Sequence, residues 1–262
     1  MDGAIRHALQ GQDFERAAFL IEQVAQTLIA QGRLTTLVRW LEVLPAAVER
    51  ARPRLRLYHG WALNLCGQID VAGEILQDTK ARLQDLPPSP DSEDLRGQLA
   101  ALLTGIATLR KEMTLVIQEA QEALAYLPET DRISRARIYV ALGTAYAYED
   151  RAEEAVQIWQ LARDLALEAS NPFRATAAIE MLAGTQIYHQ GRLRAAAKSL
   201  QQVLDLGTMP DGGRSPFTGT SHALLGEIYL EWNDLEAAEG CLETGIKLLR
   251  QGGIGYGLIH TF

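Results

Sequence analysis

The chain has 262 residues, 47% of them apolar and 22% charged, enough for one large domain or two modest ones around a substantial core. Its net charge is −8 and no block of Lys and Arg forms the basic stripe that neutralises phosphates, so direct nucleic-acid binding is not expected. Cys66 and Cys241 stand 175 positions apart with no C-x-x-C pair, which excludes a zinc ribbon or a disulfide framework and leaves free buried thiols of a reducing cytosol as the expectation.

Leu (39) and Ala (37), both strong helix formers, dominate the composition, while aromatic residues are only 6%, which points to an all-α protein. No stretch approaches ~18 apolar residues, so no membrane span is expected. The opening MDGAIRHALQGQDFE lacks the basic-then-apolar pattern of a signal peptide, so the expected location is cytoplasmic.

Nine prolines punctuate the chain, at Pro45, Pro53, Pro87, Pro88, Pro90, Pro128, Pro172, Pro210 and Pro216. A proline inside a helix costs about 3 kcal/mol, and none falls inside a row of helically spaced apolar residues. Leu99, Leu102, Leu103, Ile106 and Leu109 form one such row, and Val156, Trp159, Ala162 and Ala166 another. Short polar or glycine turns at Gln31-Gly32-Arg33, Cys66-Gly67-Gln68, Gln190-Gly191-Arg192 and Trp232-Asn233-Asp234 join helices into antiparallel hairpins.

Residues 1–50 read as an irregular helical lead-in, with a short helix over 3–10 and a hairpin of 14–30 and 33–44 around Gly32. Residues 51–251 then superimpose on themselves as five hairpins. Small residues stand at 60, 104, 143, 184 and 226, with spacings of 44, 39, 41 and 42. Each is followed by a matched set in the next helix: Ala72, Leu76, Thr79; Val116, Ala120, Ala123; Ala155, Trp159, Ala162; Ala196, Leu200, Val203; and Ala238, Leu242, Gly245. A small residue in the first helix lets the second approach closely, and large apolar neighbours fill the space against the next hairpin. One hairpin cannot bury its own face, so the hairpins stack.

This pattern resembles the tetratricopeptide repeat, although the unit is about 41 residues rather than 34 and its closing proline is missing except loosely at Pro172. The resemblance implies a helical-hairpin solenoid, a right-handed superhelix of roughly 12 helices. Residues 252–262 read as the start of a truncated further repeat. A cut there leaves Leu242, Ile246 and Leu249 partly uncovered beneath Leu258, Ile259 and Phe262, which favours self-association.

Longer phrases carry a second resemblance. AIRHALQGQDFERAAFLIEQVAQTLIAQGRLTTLVRWLEVLP, RARPRLRLYHGWALNLCGQIDVA, RARIYVALGTAYAYEDRAEEAVQIWQLARDLALEASNP and LEWNDLEAAEGCLETGIKLL resemble the repeat region of MalT-like, LuxR-family ATP-dependent transcriptional regulators, within the signal-transduction ATPases with numerous domains. The resemblance implies a sensor and contact region that takes an inducer or partner protein and relays its binding to a nucleotide switch and a helix-turn-helix. No G-x-x-x-x-G-K-[ST] loop and no basic recognition helix occur in this sequence, so it reads as a fragment of a longer protein that neither hydrolyses ATP nor grips duplex DNA.

Other motifs carry little. Gly252-Gly253-Ile254-Gly255-Tyr256-Gly257 has its third glycine misplaced for a dinucleotide loop and reads as a helix cap with a linker. Asp211–Pro216 reads as a long exposed loop. His7, His59, His189, His222 and His260 show no metal-ligand spacing, and no nucleophile–base set can be assembled, so neither a metal, a cofactor nor catalysis is expected.

The remaining candidate is the groove lined by the first helices. Residues one, four and five positions after the small residue point there: Trp61 and Asn64; Thr144 and Tyr148, with Arg137; Thr185, Tyr188 and His189; Glu227 and Glu231. Aromatic faces beside hydrogen-bonding groups suit a sugar as small-molecule inducer, a peptide or a partner helix. The alternative is a protein-interaction or self-assembly scaffold with no small-molecule ligand.

Overall fold

The computed structural model describes residues 1–30, 33–84, 87, 89–169, 172–208 and 213–251. The chain divides into two compact units, Met1–Pro128 and Glu129–Phe262. Among the described residues there are fourteen α-helices, one short 3-10 helix and no strand, so the chain is all-α and built of tetratricopeptide-like hairpins. No helix among them is long and apolar enough to cross a membrane.

The first unit holds α1 (Asp2–Gln10), α2 (Phe14–Ala30), α3 (Leu34–Glu42), α4 (Ala46–Arg50), α5 (Pro53–Leu65), α6 (Ile69–Gln84), α7 (Pro90–Leu109) and α8 (Met113–Tyr126). Four helices instead of three precede residue 51, because Pro45 stops α3 and starts the separate turn α4. That difference, with the 3-10 helix, takes the total above the dozen expected. One continuous core runs from Ile5 through Leu37, Trp40, Leu55 and Leu76 to Ile106, so the lead-in helices share the core of the first hairpins. Ser89 caps α7 through a reciprocal bond with Ser92.

The second unit holds three hairpins: α9 (Arg132–Tyr148) with α10 (Ala152–Glu168), α11 (Pro172–Tyr188) with α12 (Leu193–Leu206), and α13 (Gly219–Glu231) with α14 (Leu235–Gln251), the last preceded by the 3-10 turn Pro216–Thr218. In three of the hairpins of residues 51–251 the side chain sixteen positions after the small residue crosses it. A Cβ on Gly60 would lie 2.5 Å from Leu76 Cγ, on Gly143 2.5 Å from Trp159 Nε1, and on Gly226 2.6 Å from Leu242 Cγ. Trp159 also donates its indole N–H to the carbonyl of Val140 at 3.2 Å, so the large ring has both a slot and a polar partner.

The hairpin turns share one backbone device. Gln12, Gly67, Lys111, Asp150, Gly191 and Asn233 all take positive φ. After five of them the next N–H bonds the carbonyl five residues back, as Arg151 does to Tyr146 at 2.9 Å, the Schellman closure of a helix C-terminus. From Gly67 onward each stands seven positions after the small residue of its hairpin.

Three expectations require correction. Cys66 is exposed, not buried, because it caps α5 at the rim of a turn, and Cys241 is half-buried. Leu109 is exposed because it is the last residue of α7, beside the turn at Lys111. Leu249 is buried, because α14 folds it against Gly219, while Ile246 is 40% exposed and Leu242 is half-buried. The turn at Gln31-Gly32, Asp211 and Gly212 of the loop at Asp211–Pro216, and Leu258, Ile259, Phe262 and the glycine run from 252 lie outside the described residues.

Candidate functional site

Where the second helix crosses the first at Gly60, Gly143 and Gly226, the positions one and five later turn away from the crossing and the position four later stands at its edge. In the first unit these positions bring Trp61 and Asn64. Trp61 is half-buried and packs on the core of that unit. Asn64 is half-buried, and its carboxamide oxygen has no hydrogen-bond partner among the described residues.

In the second unit α11 packs between α9 and α13. The structure joins two of the candidates across this contact: the Tyr188 hydroxyl donates to the Glu227 carboxylate, although they are 39 positions apart. Burial and the neighbouring carboxylate hold the Tyr188 phenol well above its ordinary range, so it remains a donor at neutral pH. Tyr148 and Tyr188 are each 48% exposed, which leaves ring area free for contact. His189 and Glu231 are exposed, and Arg137 is half-buried on α9.

Thr144 and Thr185 behave differently. Their hydroxyls donate to the carbonyls of Val140 (2.9 Å) and Met181 (3.1 Å) in their own helices, and Thr185 is buried. A hydroxyl that has spent its hydrogen on the helix keeps only acceptor capacity for anything beyond it. The second-unit face therefore offers two aromatic rings, a tyrosine–carboxylate pair and flanking charges. It can bind and orient a ligand; no nucleophile–base–orienter set lies among these residues, and no group of three His, Cys, Asp or Glu able to hold a metal occurs among the described residues.

Two polar pairs in this unit escaped the sequence reading. The Ser221 hydroxyl donates to Glu180 at 2.6 Å, both residues being buried between α11 and α13, and burial raises the Glu180 carboxyl to about 7. Arg214 donates to His222 Nε2 at 2.7 Å; burial, then the guanidinium charge, lowers this histidine to about 4, so it is neutral. A signal existed. Glu180 and His222 stand four positions before their small residues, at the place taken by Ala100 in the second hairpin and Tyr139 in the third.

Comparison with known proteins agrees with this architecture. The family described as MalT-like TPR region matches residues 97–256. The HTH-type transcriptional regulator MalT of Vibrio parahaemolyticus is 22% identical over 246 residues, which are 94% of this chain and 27% of that protein. The serine/threonine-protein kinase PknK of Mycobacterium tuberculosis is 26% identical over 255 residues, 95% of this chain and 22% of that protein. The chain thus spans about a quarter of the length of these relatives. The apo form of the quorum sensor NprR from B. thuringiensis shares the fold, with a TM-score of 0.69 at 17% identity over 94% of this chain and 70% of that one.

Proposed function

The chain belongs to the MalT-like TPR region family, and from that premise we propose that it is the non-catalytic sensor and interaction region of a cytoplasmic bacterial transcriptional regulator of the LuxR type. In this reading an inducer or partner seats on the first-helix face, and its binding biases nucleotide-switch and DNA-binding modules outside this sequence. The proposed contact residues are, in the second unit, Arg137, Tyr148, Tyr188, His189, Glu227 and Glu231, with Thr144 and Thr185 as acceptors only, and, in the first unit by itself, Trp61 and Asn64. The observation that carries the reading is the Tyr188–Glu227 bond, which ties α11 to α13 on an exposed aromatic surface. A ligand that engages either group acts on the packing of two hairpins at once. NprR, which shares the fold, is a quorum sensor, and that likeness of fold supports the reading.

A second reading has its own support. The chain is similar both to part of a protein kinase and to part of a transcriptional regulator, so regions of this kind occur in proteins with different outputs. A general scaffold that binds a partner protein, or a second copy, fits that fact. A thermal-shift screen of a metabolite library, run beside affinity capture from lysate, separates the two. A metabolite that raises the melting temperature of the wild type, with an affinity at least ten-fold weaker for Tyr188→Phe and Glu227→Gln, supports the sensor. Capture of a protein that Tyr148→Ala and Tyr188→Ala release, with no metabolite effect, supports the scaffold. Binding indifferent to all four changes overturns the face.

A further inference from the structure

The opposite side of the second unit carries a separate feature. Between the second helices α10 and α12, over α11, runs a trough made of an enclosed cavity of about 160 Å³ and an open one of about 680 Å³. The two share Arg163, Ile179 and Gln202, so they are one continuous depression. We propose that this trough binds an extended peptide segment of about six residues, its amino-terminal or basic end lying over Asp205 and its acidic or carboxyl-terminal end over Arg192.

The wall chemistry selects a backbone. Ile179 and Leu182 form an apolar floor, while Gln160 from α10 and Gln202 from α12 face each other across it. A primary carboxamide offers an acceptor and two donors, the complement of a peptide group, and brings no charge to desolvate. Amides on both walls with an apolar floor suit an extended chain, whose backbone groups point sideways and whose alternate side chains point down. Gln186 also lines the cavity, and its carboxamide oxygen is buried with no hydrogen-bond partner among the described residues. A donor entering beside it would satisfy it.

The charges select the direction. Arg192 is the N-cap of α12 and Asp205 lies in its last turn, so both stand at the end of the helix whose dipole disfavours them. Asp164 lines the same end, but Arg163 holds its carboxylate at 2.8 Å, so Asp205 is the carboxylate that end offers to a ligand. Charges placed against the dipole gain from a ligand carrying the opposite sign at each end. From Arg192 to Asp205 the helix rises about 20 Å, which an extended chain covers in about six residues.

The test is selection of hexapeptides from a randomised display library on the 262-residue chain, repeated on Gln160→Ala/Gln202→Ala and on Arg192→Glu/Asp205→Arg. The selected wild-type peptides should carry basic residues towards the amino end and acidic residues towards the carboxyl end. They should bind the double-alanine variant at least ten-fold more weakly. The charge-exchanged variant should select peptides of reversed polarity. It places each charge where the α12 dipole favours it, so it should melt no lower than the wild type, and misfolding would not explain a change in selection. No enriched peptides, no charge polarity, or unchanged binding to both variants overturns the proposal.

Discussion

Ser221 hands its hydroxyl hydrogen to Glu180 at 2.6 Å, and the pair is sealed between α11 and α13. Burial holds the Glu180 carboxyl at about 7, above the usual 4.5. Between those values the folded chain binds more proton than the unfolded one, so stability falls as pH rises from about 4.5 through about 7. The total loss is about 3 kcal/mol as an upper bound, at 1.36 kcal/mol per unit. Glu180→Gln keeps the packing and removes the titration. It should melt higher than the wild type at pH 8 and show little or no such gain at pH 5. His222, whose folded value of about 4 makes it lose stability as pH falls below about 6.5, acts alike in both proteins. An equal shift at both pH values would refute the assignment.

Gly143 should resist substitution. An added methyl meets the Trp159 ring at 2.5 Å, and moving that ring also breaks its bond to Val140. Gly143→Ala is expected to cost about 1–3 kcal/mol in a urea melt. Gly105→Ala is the control: nothing lies within 4 Å of its added Cβ, and the helix-propensity gain is up to ~1 kcal/mol. Equal outcomes at the two sites would mean that close helix approach is not what Gly143 provides.

The turns invite the reverse change. Lys111 and Asp150 both sit at φ +58, a conformation that costs a residue with a Cβ about 1–2 kcal/mol. Lys111→Gly relieves that cost against a more flexible unfolded chain and should stabilise the fold by about 0.5–1 kcal/mol. Asp150→Gly and Asn233→Gly should gain less, because aspartate and asparagine tolerate this region. Denaturant midpoints that fall for Lys111→Gly and Asp150→Gly would contradict the turn geometry.

Tyr148→Ala and Tyr188→Ala remove half-exposed rings. Each should cost less than about 2 kcal/mol of stability, well short of the 3–5 kcal/mol of a buried aromatic truncation. Trp159→Ala, in contrast, empties the slot over Gly143 and should cost about 3–5 kcal/mol. A melt in which the tyrosine variants match Trp159→Ala would move both tyrosines from the surface into the core.

The repeat was legible because it is a matter of spacing along one chain. Small residues at 60, 104, 143, 184 and 226 and the partners sixteen positions later can be counted without coordinates, and at Gly60, Gly143 and Gly226 they meet as counted. The turn residue seven positions on was legible where it is Gly67, Gly191 or Asn233. It was hidden at Lys111 and Asp150, where backbone hydrogen bonding imposes a conformation that the side chain disfavours. Which first-helix candidates meet was decided only in three dimensions. The bond between Tyr188 and Glu227 depends on the offset between α11 and α13, while Thr144 and Thr185 turn their hydroxyls back onto their own helices. Burial was decided there too. Glu180 and His222 look like surface residues by type, and only the packing of α13 against its neighbours removes water from them, because the loss of solvation is set by what a neighbouring helix covers and not by the residue itself.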